Sequence, residues 1–477
     1  MKTTGFSAQI ILVFLPLLFA ACTVGPDYIR PTPVETMPTA FKELNGWKLA
    51  QPQDGKIAER WWELYNDPIL SSLVEQVVIS NLNIASAEAQ YRQARALVEG
   101  AKAGFFPSLT AGVSASRSHK SGNVSAGNSK GATSSDFQLP LDLSWELDLW
   151  GRIRRGVEAS QAGAQASAAD LAAVTMSVQA ELAGNYLQLR TQDAQRMLLD
   201  DTATLYRKSL ELTRKRYEAG VAPHTDVLQA ETLLRSIEAQ AIDLGVQRAQ
   251  SEHAIALLIG KPPALFSLPS TSLVNTVPPI PTGLPSELLE RRPDIASAER
   301  KMAAANAQIG IANAAYYPAI RLSATAGLEA ANLPSWFSWP SRFWGVGTAV
   351  SGAVFDGGRR EAQSDQAKAA YDGTVASYRE TVLTAFQEVE DNLAALRIMD
   401  EESAVQDQAV RTAQQVVKIT TNQYQAGTVA YLNVLIAQTT SLANQRTALG
   451  IAGRKLAASV LLIKALGGGW NNAASSS

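Results

Sequence analysis

Residues 217–232 read YEAGVAPHTDVLQAET, and residues 424–439 read YQAGTVAYLNVLIAQT. The second stretch begins 207 positions after the first, and Tyr, Ala, Gly, Val, Leu, Ala and Thr recur at matching places. Glu181 and Glu388 stand at the same spacing. An ordered series of matches at one offset indicates a duplication, so the chain contains two copies of one plan.

Each copy contains two runs with the period of a β-strand, at residues 108–116, 137–149, 320–329 and 344–354. In the second run, apolar residues take alternate positions on one face and mostly polar residues take the other. Runs of about ten residues with aromatics near their ends are typical of outer-membrane barrel strands. The alternative is a soluble β-sandwich, whose strands alternate in the same way. Pro140 lies inside a run, which predicts a bulge there.

Long stretches without proline separate the strands, at residues 152–216 and 359–423. A helix of that length extends about 100 Å at 1.5 Å per residue, and the second stretch carries the spacing of a coiled-coil seam. Shorter helices are predicted at residues 69–104, 226–259, 294–315 and 430–466. Their lengths predict that each copy places one long helix beside two shorter ones stacked end to end.

The N-terminus has the pattern of a lipoprotein signal. Lys2 precedes an apolar run at residues 10–19, and two alanines stand directly before Cys22. We expect cleavage before Cys22 and a covalent lipid on its thiol. The alternative is a cysteine that merely lies near an ordinary cleavage site. Thr23 follows the cysteine, and the absence of an aspartate there favours the outer membrane over the inner one.

Two segments rich in proline separate the patterned regions and serve as linkers. The predicted domains are a lipoprotein signal peptide at 1–21, an acylated linker at 22–60, the first repeat at 61–262, a linker at 263–286, the second repeat at 287–470 and a disordered tail at 471–477. Each repeat therefore contains a short helix, a β-hairpin and a long helical hairpin.

The composition excludes several classes of function. A net charge of -2 over 477 residues leaves no basic footprint for nucleic acid. The single cysteine and the widely separated His119, His224 and His253 argue against a zinc site or a Cys/His catalytic pair. We therefore expect no enzymatic activity, no metal site, and no cofactor other than the covalent lipid on Cys22.

The predicted strands must be completed by other copies of the chain. Unpaired strand edges are costly in lipid, and two hairpins are too few to close a barrel, which needs about eight strands. Three copies supply about twelve strands, enough to enclose water. The polar strand face then lines the lumen with Asp142, Glu146, Asp148 and Arg321. The predicted fold class is an α+β membrane protein: a trimeric 12-stranded β-barrel continued by a long α-helical coiled-coil barrel, with an internal two-fold repeat.

Several motifs carry a resemblance to a known family. They are residues 22–28 (CTVGPDY), Trp61-Trp62, 257–263 (LLIGKPP), 288–295 (LLERRPDI), 465–470 (ALGGGW) and the two Tyr-x-Ala-Gly turns. Together they resemble the TolC-like outer-membrane efflux proteins, in the lipoprotein branch that works with resistance-nodulation-division (RND) pumps. The resemblance covers essentially the whole mature chain. It implies a homotrimer whose periplasmic end is held by an adaptor, the membrane fusion protein.

The two Tyr-x-Ala-Gly turns have a structural and a functional interpretation. Gly220 and Gly427 suit the end of a helix, where the backbone needs a positive φ. By resemblance, the same turns are the periplasmic tips that contact the adaptor. The resemblance assigns that contact to Tyr217, Ala219, Gly220, Ala426 and Gly427.

By resemblance, the first turns of the returning helices form the periplasmic aperture. Leu432, Asn433 and Ile436 lie in its ring, with Asp226 and Tyr424 nearby. Family members often carry aspartate at the positions of Asn433 or Ile436. The absence of aspartate at both positions in this chain predicts a less acidic and more apolar constriction, with weak preference for cations. The alternative is that these are ordinary helix-packing residues.

The resemblance implies a passive channel in the outer membrane, anchored by lipid and spanning the bilayer, with a periplasmic helical tunnel. An inner-membrane RND pump and the adaptor deliver small molecules to it: drugs, toxic compounds or metal ions. Two alternatives remain open. One is the outer-membrane duct of an ABC-type protein secretion system, and the other is a purely structural periplasmic lipoprotein.

Overall fold

The computed structural model describes residues 23–34, 37–43, 60–121, 123, 132–271, 273, 277–280 and 291–469. The expected signal peptide, the lipid site Cys22 and the tail 471–477 lie outside the described residues. These predictions are therefore carried by the sequence pattern.

The long helices form where the proline-free stretches predict them. They are α3, Arg152–Glu218, and α7, Arg359–Gln425. The returning helices are α4, His224–Leu258, and α8, Tyr431–Ala465. The shorter helices are α1, Pro68–Ser80, α2, Leu82–Ala103, α5, Pro293–Ala314, and α6, Leu333–Trp336. Helix α5 begins at a proline, whose missing N–H would have no helical partner at that position.

The prediction of one helix over residues 69–104 is wrong, because the helix breaks at Asn81. The Asn81 backbone is extended there. Its side-chain oxygen accepts hydrogen bonds from the amides of Asn83 and Ile84, at 2.9 and 3.2 Å. Asparagine competes with the helical backbone in this way and begins a new helix instead.

The shorter helices meet end to end, as their lengths predict. The Asn81 side-chain amide donates to the carbonyl oxygen of Leu258, at the end of α4, at 2.7 Å. In the second repeat, the Arg292 guanidinium donates to the carbonyl oxygen of Ala465, at the end of α8, at 3.0 Å. Each junction therefore satisfies a helix-terminal carbonyl that would otherwise be buried without a donor.

The strands are β1, Ser108–Ala111, β2, Ser114–His119, β3, Thr133–Leu147, β4, Ala319–Ala330, and β5, Arg342–Ser351. They form one antiparallel sheet with the order β1-β3-β4-β5, in which β2 also pairs with β3. The central β3–β4 pair joins the two repeats, with Leu147 opposite Ile320 and Phe137 opposite Ala330.

The bulge predicted at Pro140 is wrong. Ala111 faces Leu141 and Ser114 faces Gln138, so two residues separate these pairs on both strands and the register does not change. Gly112 donates its amide to the carbonyl oxygen of Pro140 at 3.0 Å. Proline has no N–H to return that bond. The first predicted strand is therefore interrupted between β1 and β2 without an inserted residue.

The chain divides into two compact units, and each contains segments of both repeats. The described residues of the first unit lie within 23–32, 91–167 and 298–378, and this unit contains the sheet. In it the N-terminal segment is held by Arg155, which is 4 % exposed. Its guanidinium donates to the Gly25 carbonyl oxygen at 3.3 Å and to the Asp27 carboxylate at 2.9 Å. The Val24 amide donates to the carbonyl oxygen of Trp150 at 3.3 Å.

The described residues of the second unit lie within 33–90, 168–297 and 379–469, and this unit contains the helix reversals. One hydrophobic cluster surrounds Trp61 and Tyr186, and Trp62 belongs to it, so this Trp pair packs in the core. A second cluster includes Tyr424 and Tyr431 beside the helix reversals. Both clusters draw side chains from both repeats.

A buried ion cluster anchors the linker to the first helical hairpin. Asp193 is fully buried and contacts Arg190 at 3.0 Å and Arg248 at 2.7 Å. These arginines donate to the carbonyl oxygens of Pro269 and Leu268, each at 2.7 Å. Every charge in the cluster has an opposite charge or a carbonyl beside it, as burial requires.

The second repeat carries a more exposed version of the same cluster, 207 positions later. Asp400 pairs with Lys455, and its side chain is 64 % exposed. Arg397 pairs with Glu43 of the N-terminal linker at 2.7 Å. The duplicated positions thus hold a linker in both repeats, but only the first set is withdrawn from water.

Among the described residues, no single helix has the length and apolar character needed to cross a membrane. The bent pair Pro68–Ser80 and Leu82–Ala103 meets that test when its two members are taken together, by length and composition only.

Candidate functional site

Both helix reversals use the same hydrogen-bonding pattern around a glycine with positive φ. Gly220 has φ +74 and donates its amide to the Tyr217 carbonyl oxygen at 2.9 Å, while Val221 donates to Arg216. Gly427 has φ +79 and makes the equivalent bond to Tyr424 at 3.0 Å. This is the Schellman motif, which satisfies the last carbonyls of a helix. The structural interpretation of the two glycines is therefore confirmed.

The second reversal is tied to the first by Arg216. Its guanidinium lies 4.7 Å from the ring centre of Tyr424. It donates to the carbonyl oxygens of Tyr424 and Gln425, at 2.8 and 3.0 Å. The negative end of the α7 dipole thus receives a cation from the other repeat.

Tyr424 connects this cation to an acid. It is buried, and its hydroxyl donates to the Asp226 carboxylate at 3.4 Å. Its ring lies 5.4 Å from that of Tyr431. Burial, together with the negative charge of Asp226, raises the pKa of Tyr424 to about 12. The hydroxyl therefore remains a hydrogen-bond donor at physiological pH.

The aperture residues predicted from the sequence separate into two sets. Tyr424 and Asp226 touch each other and lie within the contacts that hold the reversals together. Leu432 and Ile436 are about half exposed and lie one turn apart on α8, and Asn433 is exposed beside them. In one chain the second set therefore presents an accessible surface of apolar and neutral polar groups.

The sequence model of the outer membrane efflux protein family matches this chain twice, at residues 73–261 and 284–468. The chain belongs to the outer membrane efflux protein family. The two matches follow the duplication seen in the sequence. The family is one of membrane channels and not of enzymes, and its location is the outer membrane, so the soluble β-sandwich and the structural periplasmic lipoprotein are excluded.

Individual relatives cover nearly the full length of this efflux protein. The toluene efflux pump outer membrane protein TtgF of Pseudomonas putida is 32% identical, and the alignment covers 97% of this chain and 97% of TtgF. The pyoverdine export outer membrane protein OpmQ of Pseudomonas aeruginosa is 31% identical, and the alignment covers 96% of this chain and 97% of OpmQ. The solved structure of the outer-membrane channel OprN is 32% identical in sequence to this chain. The superposition covers 94% of this chain and 100% of the OprN chain, with a TM-score of 0.87. The predicted family, fold class and efflux function are confirmed.

The adaptor-contact residues predicted for the efflux protein lie on exposed turns. Ala219, Gly220, Ala426 and Gly427 are all exposed. Tyr217 is 46 % exposed, and its ring packs 5.0 Å from that of His224. These positions are accessible to a partner, and the contact itself stays a prediction.

Three of the predicted lumen residues lie in the sheet of the efflux protein. Glu146 stands opposite Arg321 in the β3–β4 register, with 3.8 Å between the carboxylate and the guanidinium. Glu146 also pairs with Arg152 at 2.9 Å. Asp142 is exposed on the same strand. The strand face is thus polar with paired charges, and its position in a lumen stays a prediction.

The fourth predicted lumen residue, Asp148, follows β3 and caps a helix. Its two carboxylate oxygens accept the backbone amides of Ile153 and Arg154, at 2.8 Å each. An acid at this place satisfies free N–H groups and complements the positive end of the α3 dipole. The structure therefore gives Asp148 a role in starting the long helix.

Sequence reasoning missed Arg216, Arg190 and Arg248. Arg216 stands in the last turn of α3, where a basic residue suits the helix dipole, and that signal was available. For Arg190, the repeated Arg-x-x-Asp spacing at 190–193 and 397–400 was the available signal, and for Arg248 it was the basic residue repeated 207 positions later at Lys455. None of these signals identifies the partner, because the partners lie in distant segments.

Proposed function

We propose that this chain is the outer-membrane channel subunit of a tripartite efflux system. The observation that carries this proposal is the open sheet of an efflux-family chain. Within the described residues, β5 pairs only with β4, and the opposite edge is formed by β1 and β2. A sheet in lipid tolerates no open edges. Three copies joined edge to edge close a barrel of about twelve strands, which is wide enough to hold water.

The channel is passive and takes its energy from partners. An inner-membrane RND pump moves the cargo, a periplasmic adaptor holds the exposed tips, and the trimer conducts to the outside. The protein itself catalyses no reaction. A covalent lipid on Cys22 anchors the mature N-terminus, whose next residues are held beside the start of α3 by the Val24–Trp150 hydrogen bond.

The cargo consists of small molecules, such as drugs, toxic compounds or metal ions. Two relatives of nearly equal identity are named for toluene efflux and for pyoverdine export. Two channels about equally similar to this chain are thus named for chemically different cargoes. Selection of the cargo therefore belongs mainly to the pump and not to the channel.

In-cell photocross-linking from the tip tests the partners. The photoreactive residue belongs at the exposed Ala426 and not at Gly427, because a side chain at φ +79 is strained. The control places it at Ala370, which is exposed on the same helix but distant from the reversal. We expect an adduct with an RND-type adaptor from Ala426 only.

Other adducts would change the proposal in defined ways. An adaptor of an ABC secretion system would make the cargo a protein while leaving the channel intact. Equal adaptor yields from Ala426 and Ala370, or no adaptor adduct from either, would contradict adaptor binding at the tips.

A further inference from the structure

A cavity of about 330 Å³ lies beside the helix reversals, between α3, α7 and α8. Its wall combines apolar side chains such as Leu205 and Leu442 with neutral polar ones such as Thr421 and Gln438. Among the described residues that line it, Lys208 is the only charged one, and it is exposed. The volume lies at the small end of the range for ligand pockets, roughly 300–1,000 Å³.

The first repeat carries charges at the positions equivalent to this wall. Glu231 pairs with Arg214 at 3.4 Å, and Arg235 pairs with Glu238 at 2.9 Å. These four residues form two ion pairs on the α3–α4 hairpin.

The second repeat replaces all four of these ions, 207 positions later. Arg214 and Glu231 correspond to Thr421 and Gln438. Arg235 and Glu238 correspond to Leu442 and Gln445. All four replacements line the cavity. Uncharged side chains, two of them shorter than the arginines that they replace, thus leave a neutral space in the second repeat at places where the first repeat holds ion pairs.

Two residues of this wall each carry a buried polar atom that has no partner among the described residues. These atoms are the Tyr206 hydroxyl and the side-chain carbonyl oxygen of Gln438. Tyr206 is 3 % exposed and Gln438 is 9 % exposed. Burial raises the pKa of Tyr206, so its hydroxyl stays a donor. Leaving such groups unpaired costs about 1–3 kcal/mol each, so a native occupant that pairs them is favoured.

We propose that this cavity binds a small uncharged organic molecule that has both a hydrogen-bond acceptor and a donor, such as a primary amide. The acceptor pairs with the Tyr206 hydroxyl and the donor with the Gln438 carbonyl oxygen. An ion is disfavoured because no buried counter-charge lines the wall. The apolar part of the ligand contacts Leu205 and Leu442. Because the wall comes from both repeats, the ligand joins α3 to the α7–α8 pair and stabilises the region beside the tips.

The test uses 4-bromobenzamide with the purified full-length protein in detergent. We expect a saturable rise in Tm, and crystals with an anomalous bromine peak in the cavity. 4-Bromobenzoate carries a charge and bromobenzene lacks the polar pair, so both should shift Tm less. Tyr206→Phe removes the donor and should weaken the binding of 4-bromobenzamide about tenfold, as expected for a lost hydrogen bond of about 1.4 kcal/mol.

A double variant provides the matched control. Thr421→Arg with Gln438→Glu places the ion pair of the first repeat into the cavity, and it should abolish the Tm shift while the protein remains a folded trimer. A rise in Tm with 4-bromobenzamide that persists both in this variant and in Tyr206→Phe would overturn the proposal. So would crystals that show only ordered water between Tyr206 and Gln438, since water alone can satisfy such groups.

Discussion

The guanidinium of Arg216 lies 4.7 Å from the ring centre of Tyr424 and donates to the carbonyl oxygen of the same residue at 2.8 Å. The two residues are 208 positions apart, one at each helix reversal. A single side chain of the first repeat therefore caps the long helix of the second. The contact combines a cation–π interaction with a charge-assisted hydrogen bond.

Replacing Arg216 with alanine should loosen the second reversal. The variant loses both carbonyl contacts and the ring contact, which we expect to weaken the local structure by about 1–3 kcal/mol. Hydrogen–deuterium exchange at the amides of Gly427 and Thr428 should accelerate accordingly. Arg214→Ala is the control, because it removes only a surface pair with Glu231. Equal exchange rates in the two variants would refute a special role for Arg216.

Tyr424 should make the tip sensitive to alkaline pH. Its folded pKa of about 12 lies above the value near 10 of an unfolded tyrosine. The neutral phenol therefore contributes stability that is fully present below about pH 10 and is lost as the pH rises toward about 12. The free-energy difference between the wild type and Tyr424→Phe should be constant below pH 10 and change above it.

Chemical unfolding at a series of pH values measures that difference. Tyr217→Phe is the matched control, since it removes a tip hydroxyl from a residue that is 46 % exposed. A Tyr424→Phe difference that stays constant from pH 9 to about 12 would show that burial and the Asp226 carboxylate do not raise the pKa of this phenol.

The duplicated ion clusters predict unequal costs for the same substitution. Asp193→Asn leaves Arg190 without its buried counter-charge, while Arg248 keeps its pair with Glu252 at 3.3 Å, and it should cost about 3–5 kcal/mol. Asp400→Asn at the exposed equivalent should cost less than about 1 kcal/mol. Differential scanning calorimetry of both variants measures the contrast. Similar losses at the two positions would mean that burial of the first cluster does not determine its energy.

The neutral surface formed by Leu432, Asn433 and Ile436 predicts that multivalent cations block the channel only weakly. Wild-type single-channel conductance should change little with hexaamminecobalt(III), whereas Asn433→Asp should introduce strong blockade, because three copies bring three carboxylates together. Asn422→Asp is the control, as this asparagine is exposed in the last turns of α7. A strongly blocked wild type that is relieved only by changes elsewhere, such as Asp226→Asn, would contradict the proposed constriction.

The local patterns predicted most helices and strands because periodicity and proline act within a few residues. The absence of proline gave both long helices to within two residues of their observed ends. Prediction failed where one side chain competed with the backbone. Asn81 interrupts a helix by accepting nearby amides, and Pro140 interrupts a ladder through its missing donor.

By itself, the sequence determined the duplication, the alternation of strands with long helices, and the glycines at both reversals, since each depends on spacing along the chain. The tertiary structure alone decided that Arg216 caps the other repeat, that Asp193 is buried while Asp400 is exposed, and that Tyr206 and Gln438 share a cavity. These relationships join segments that are far apart in the chain. They arise from which faces of the helices pack together, and no local propensity encodes that choice.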